Sequence, residues 1–194
     1  MKADQYGVLL HLFYGKKLND ADDLSSLIFM TDMGFCGNPA CVGKNRIYSL
    51  DNLPQEVSGF GTGDYRDSMV ALLHEDGSRA AEFRFDSYEI LDGSYKVDGM
   101  PALYDTSVTK GETLIITMRE VASEVWLKLY YGVYEKENII TRAAKIINKG
   151  TRRVFVEKLL SMNMDMMFFD PDIIYFTGRH AFERAPERVP VKHA

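Results

Sequence analysis

Arginine and aspartate side chains crowd one long loop of this sequence. Asp32, Arg46, Asp64 and Arg66 fall within the stretch from Phe29 to Asp67, which is otherwise rich in Gly, Pro, Asn and aromatic residues. A guanidinium held beside a carboxylate builds a rigid fork for hydroxyls or carboxylates. The same four residues could instead pair with one another and pin the loop. Other chemistries find less support. Hydrolysis by paired carboxylates needs two carboxyls on either side of the bond, at a separation set in three dimensions. No pair stands out here, because most acids occupy hairpin tips or outward alternate positions. His11, His74, His180 and His193 are isolated in sequence, and no Ser or Cys sits in a Gly-x-Ser-x-Gly setting. Gly59-Phe60-Gly61-Thr62-Gly63 has the look of a phosphate loop but lacks the flanking strand, helix and Lys. A disulfide between Cys36 and Cys41 would close a trivial ring, and no second Cys pair or His pair follows at zinc spacing. Reduced thiols in a cytoplasmic protein, with no metal and no cofactor, are the expectation.

The elements that must hold this loop are strands. Tyr6 to Tyr14 is apolar and β-prone, and reads as a strand buried on both faces and ended by Gly15. The long loop then spans residues 19–67. Loops of that length are usually functional or disordered, and its aromatic residues argue against disorder. From Met69 onward, short apolar runs alternate with turn signals: Glu75-Asp76-Gly77-Ser78, Leu91-Asp92-Gly93-Ser94, Thr109-Lys110-Gly111, Asn148-Lys149-Gly150 and Asp170-Pro171-Asp172. Leu114, Ile116 and Met118 alternate with Ile115, Thr117 and Arg119. Val125, Leu127, Leu129, Tyr131 and Val133 alternate with Trp126, Lys128 and Tyr130. Period two means strand. Asn138 to Ile147 and Thr151 to Met162 are expected to pair across the Asn-Lys-Gly turn. No stripe of period 3.6 supports a long helix, though Ser25–Met30 or Val121–Glu124 could make a turn or two. The expectation is an all-β antiparallel sandwich forming one domain over residues 1–194, with Trp126 in its core.

Composition narrows the partners. The 194 residues carry 23 Lys+Arg against 28 Asp+Glu, a formal net charge of −5. Nucleic acid is disfavoured, since phosphate binding requires clustered basic charge. No apolar run approaches the ~20 residues of a bilayer span, and no signal peptide is expected from Met1 to Tyr6, because the apolar stretch after it is short and ends at a charged turn.

At its loop the chain resembles a known family, the bacterial α-galactosidases of glycoside hydrolase family 36. The resemblance is carried by Arg46-Ile47-Tyr48-Ser49-Leu50-Asp51-Asn52-Leu53-Pro54-Gln55-Glu56-Val57 and by Phe60-Gly61-Thr62-Gly63-Asp64-Tyr65-Arg66. It continues through Val97-Asp98-Gly99-Met100-Pro101-Ala102-Leu103-Tyr104, Tyr134-Glu135 with Asn138-Ile139-Ile140-Thr141-Arg142, Ser161-Met162-Asn163-Met164-Asp165 and Gly178 to Arg184. It covers nearly the whole chain in order. Asn52 and Val57 stand where the family has Thr and Tyr.

The resemblance implies an N-terminal β-supersandwich, cut at both ends. In the family, a (β/α)8 barrel supplies both catalytic aspartates for a retaining hydrolysis of terminal α-galactosides such as melibiose and raffinose. Neither catalytic segment occurs in these 194 residues. The family is oligomeric, and the N-terminal domain of one subunit lends a loop to a neighbour's active site. Its sugar-bounding Asp and Arg fall on Asp32 and Arg46, while Asp64 and Arg66 brace the loop. Two rival expectations are a free-standing carbohydrate-binding or assembly module and a truncated product without independent function.

Overall fold

The computed structural model describes residues 1–19, 24–28, 30, 45, 47–165 and 170–191. Asp32 and Arg46 therefore lie outside the described residues, as do Cys36 and Cys41. Among the described residues ten strands follow in order: β1 (Lys2–Ala3), β2 (Leu9–Leu10), β3 (Val70–His74), β4 (Phe83–Asp92), β5 (Glu112–Glu120), β6 (Val125–Tyr134), β7 (Ile139–Asn148), β8 (Val154–Leu159), β9 (Asp172–Arg179) and β10 (Phe182–Pro190). All ladders between them are antiparallel. A four-stranded sheet in the order β4-β5-β6-β7 faces the two-stranded ladder β3-β8, while β1-β2 and β9-β10 form separate pairs. The all-β sandwich expected from the alternation is what the chain adopts. Among the described residues the helical content is a single 3-10 turn at Leu24–Leu27, overlapping one of the two expected places; Val121–Glu124 is a bent connection instead.

Alternation explains the core. In β6, Val125, Leu127, Leu129 and Tyr131 are buried, and they meet Met69, Val70 and Leu72 of the opposing layer, with Ile116 and Met118 beside them in β5. The expected pattern fails at Val133, which is 39% exposed, while its neighbour Tyr134 is buried. Ile115, on the opposite, outer face of β5, is also buried. The segment between β4 and β5 folds back over that outer face, where Tyr95 meets the ring of Tyr130 at 5.4 Å, and Tyr130 pairs with Ile115. Trp126, expected in the core, is only half-buried on the outer face between the cations Lys149 and Arg119, at 4.0 and 5.7 Å from the ring centroid.

Two pairing expectations are corrected. The first concerns β7 and β8, which follow one another across Asn148-Lys149-Gly150 but do not pair; β7 joins β6 and β8 crosses to β3. Asn148 explains the crossing: its side chain accepts from the Gly150 amide and donates to the Arg152 carbonyl, and the Lys149 amide donates to the Glu124 carbonyl. These bonds tie the turn to the β5–β6 connection and send the chain into the other layer. The second concerns Tyr6–Tyr14, whose paired part shrinks to Leu9–Leu10. The Asp4 carboxylate accepts from the amides of Tyr6 and Val8, and Gly7 takes φ +80°, so the start of that run is a turn. Burial on both faces does hold where the strand exists. Leu9 enters the sandwich core, while Val8 and Leu10 pack with Tyr48, Leu50 and Leu53 of the loop.

That second cluster fixes the loop to the body, and Gly59 marks its tightest approach. A Cβ built on Gly59 would lie 1.5 Å from the carbonyl oxygen of Ala81, a backbone atom with no side-chain freedom to yield. Gly59→Ala is therefore expected to destabilise the fold by about 2–3 kcal/mol through overpacking. The check is a urea midpoint compared with Gly178→Ala, whose added Cβ would come no nearer than 3.4 Å to its neighbours. Both sites carry the loss of a glycine, but only Gly59 carries the clash.

Candidate functional site

The described half of the loop is held by two adjoining polar networks. The first centres on Glu56, which is 1% exposed. A carboxylate at that depth must be paired. Its Oε1 takes a 2.6 Å ion pair from Arg142 of β7 and a 2.6 Å hydrogen bond from the Tyr131 hydroxyl of β6. Its Oε2 lies 2.7 Å from Nδ1 of His11, just after β2. Arg142 also lies over the Tyr131 ring at 5.0 Å and donates to the Asn163 carbonyl. Burial, then the Glu56 charge, pushes the Tyr131 phenol well above its ordinary range, so it remains a donor. Three separate parts of the chain thus converge on one carboxylate. Both Glu56 oxygens are engaged and closed to solvent, which makes the group a lock rather than a reactive acid.

The second network centres on Arg66. Its Nε donates to Asp64 Oδ1 at 2.9 Å, one terminal nitrogen reaches Asp165 Oδ2 at 2.9 Å, and the other reaches the carbonyls of Leu50 and Leu53. The Asp64 side chain is 2% exposed and also accepts from Gln55 Nε2 at 2.6 Å. Asp165 accepts from the Gln55 amide as well, and Asn163 Nδ2 donates to the Gln55 carbonyl. Burial raises the Asp165 carboxyl above its usual range; the Arg66 charge opposes this and the Asp64 charge adds to it. Burial works to lower the Arg66 guanidinium, but its hydrogen bond to Asp64 and the charge of Asp165 hold it above its ordinary value. A planar fork with five donors suits this arrangement of two carboxylates and two carbonyls.

Asp64 and Arg66 are therefore together, and they contact each other. Whether Asp32 and Arg46 join them lies outside the described residues. Glu56, His11, Tyr131, Arg142 and Asp165 were not singled out as site residues by sequence reasoning. One signal was available. Period two in β7 puts Arg142 on the same face as Ala144 and Ile146, opposite inward-facing Tyr131, and a cation on a core face requires a buried anion. The pairing itself had no local signature, since Glu56 lies 86 positions away. Among the described residues, no cluster of three or more His, Cys, Asp or Glu side chains is placed to hold a metal ion. No helix there is long and apolar enough to cross a membrane.

The described residues form a β-sandwich to which the segment 47–67 is tied by buried ion pairs. The chain belongs to the glycosyl hydrolase family 36 N-terminal domain family, whose model matches residues 7–194. It is 40% identical over 193 residues to the bifunctional alpha-galactosidase/sucrose kinase AgaSK of Mediterraneibacter gnavus, covering all of this chain and 20% of that protein. The solved galactosidase domain of alpha-galactosidase-sucrose kinase AgaSK superimposes with a TM-score of 0.91 at 39% identity, over 100% of this chain and 26% of that one. The GH36 alpha-galactosidase AgaA A355E D548N of Geobacillus stearothermophilus, solved in complex with raffinose, gives 0.89 at 31% identity, over 99% and 26%. This chain thus spans about a fifth to a quarter of the relatives it matches.

Proposed function

We propose that residues 1–194 are a non-catalytic part of the N-terminal β-domain of a cytoplasmic α-galactosidase, and that they assist hydrolysis of terminal α-galactosyl residues without performing it. The observation that carries this reading is the family match over residues 7–194, together with a likeness to solved galactosidases at 39% and 31% identity along the entire fold. The AgaA relatives were solved with raffinose and with stachyose, which supports such α-galactosides as the substrate class. In this reading the domain contributes to a homo-oligomer and lends its loop to a neighbouring active site. Asp32 and Arg46 bound the sugar pocket in trans, and their charges fit a ring of hydroxyls. Asp64 and Arg66 brace the loop from below. Support for the bracing is the Arg66 fork itself, which ties four points of the loop and of the segment after β8 to a single side chain.

The test is hydrolysis of a chromogenic α-galactoside by the purified chain, beside AgaA as a positive control. The expected result is no turnover by the chain and full turnover by the control. Turnover that copurifies with the chain through successive columns would mean that a catalytic carboxylate pair resides in these residues, and the non-catalytic reading would be lost.

A further inference from the structure

Three carboxylates and two guanidiniums meet where segment 47–67 is tied to the sheet. Glu56 pairs with Arg142 at 2.6 Å, while Asp64 and Asp165 share Arg66, each at 2.9 Å. The two networks adjoin: Gln55, next to Glu56 in the chain, donates its amide to Asp165, and Arg142 donates to the Asn163 carbonyl. Among the described residues this cluster is therefore one positive charge short. Asp51, which accepts from the Tyr65 amide at 3.0 Å, adds further negative charge near Arg66. Surplus charge away from water is costly, and a neighbouring titratable group relieves it by taking up a proton.

His11 is placed to do so. Its Nδ1 lies 2.7 Å from Glu56 Oε2, its side chain is largely buried, and its backbone amide is fixed to the Pro54 carbonyl at 2.7 Å. Its charge also reaches Asp165, where it opposes the effect of burial on that carboxyl. The groups around it are Glu56 of the loop and Asp165 of the segment after β8. Arg142 of β7 and Tyr131 of β6 engage the same Glu56 carboxylate, and Arg66 engages Asp165. A neutral imidazole that carries its proton on Nδ1 still donates to Glu56, so titration changes the charge while the contact survives.

We propose that His11, as an imidazolium, supplies the missing charge and so acts as a positioning residue for segment 47–67, which loosens when that proton is lost as pH rises. The unfolded chain offers the imidazolium only water, whereas the fold offers it Glu56 and Asp165. The stability that His11 contributes is therefore present on the acid side of its titration and lost as pH rises through it. Burial raises the Asp165 carboxyl, which acts in the same direction. This anchoring does not depend on whether the chain serves an α-galactosidase.

The experiment is hydrogen–deuterium exchange on the full chain at about pH 5.5 and about pH 8.5, either side of the usual imidazole range, with rates corrected for the intrinsic pH dependence of exchange. In the wild type, protection at residues 47–67 is expected to fall about tenfold between the two, the effect of one close opposite charge on a protonation equilibrium, while β5 and β6 stay protected. His11→Asn keeps a donor toward Glu56 without a titratable charge, so its loss over the same range is expected to be about threefold or less. The other histidines titrate in both proteins, so the difference between them reports His11. Asp165→Asn removes the surplus negative charge and is also expected to shrink the response. Equal losses in the wild type and His11→Asn, an undiminished response in Asp165→Asn, or protection that grows with pH overturns the proposal. If His11→Asn fails to fold, NMR of the wild type still decides. The His11 ring signals and the amide signals of Gln55 and Glu56 are expected to shift with one midpoint, and amides that do not follow the ring overturn the proposal.

Discussion

Replacing Glu56 with Ala is expected to lower folding stability by about 3–5 kcal/mol, the usual cost of breaking a buried ion pair by removing one partner. The reason is what remains behind. Arg142, whose side chain is 12% exposed, would keep its charge with no anion beside it, and the Tyr131 hydroxyl and His11 would lose their shared acceptor. Glu56→Gln retains shape and one acceptor but not the charge, so it should fall between Ala and the wild type. The informative comparison is the double substitution Glu56→Leu with Arg142→Leu. Buried pairs replaced together by apolar residues of similar size are often neutral or stabilising, so the double variant should be clearly more stable than Glu56→Ala. Urea unfolding midpoints of the four proteins measure this directly. Equal losses in Glu56→Ala and in the double variant would mean that the carboxylate matters for something other than neutralising Arg142.

Arg66→Ala carries the second large effect, a loss of about 2–3 kcal/mol. Asp64 would stay buried with Gln55 as its side-chain partner, and the carbonyls of Leu50 and Leu53 would lose the donor that ties the loop to Asp165. The Arg66 side chain is itself 36% exposed, which is why the figure is set by the stranded partners and not by the Coulombic strength of the pairs. Arg66→Lys should not restore the wild type, because a point charge cannot serve two carboxylates and two carbonyls at once. Exchange at residues 47–67 should rise in both variants while exchange in β5 and β6 stays slow. A uniform rise across the sheet would mean that the network supports the whole sandwich and not the loop in particular.

Much of the fold was legible because period-two alternation is a local property of strands that need burial on one face. Val125 to Tyr131 reads correctly for that reason. Turn residues were legible as turns but not as partners. Asp76-Gly77 does reverse the chain, with Gly77 at φ +85°, yet it leads from one sheet into the other. The tight connections β5–β6, β6–β7 and β9–β10 use other residues, including Asn138 and Ala181 at positive φ. Whether two successive strands pair is decided by which layer needs their side chains, and Asn148 shows how one side chain can redirect the chain. The site divides in the same way. Asp64 and Arg66 are two positions apart, and their pairing follows from proximity. Glu56, His11 and Arg142 are brought together only by the topology: Glu56 and Arg142 stand in segments that carry the family resemblance, but their contact left no trace in sequence beyond a cation on the core face of β7.

Under the function proposed above, this chain completes an α-galactosidase without supplying its catalytic groups. The most direct measurement mixes the purified chain with AgaA lacking its matched quarter and follows hydrolysis of a chromogenic α-galactoside. Turnover is expected from the mixture and from neither component alone, and Asp32→Ala or Arg46→Ala in this chain should raise KM while still allowing recovery. A mixture that stays inactive although the two polypeptides copurify would contradict the account, as would turnover by this chain on its own.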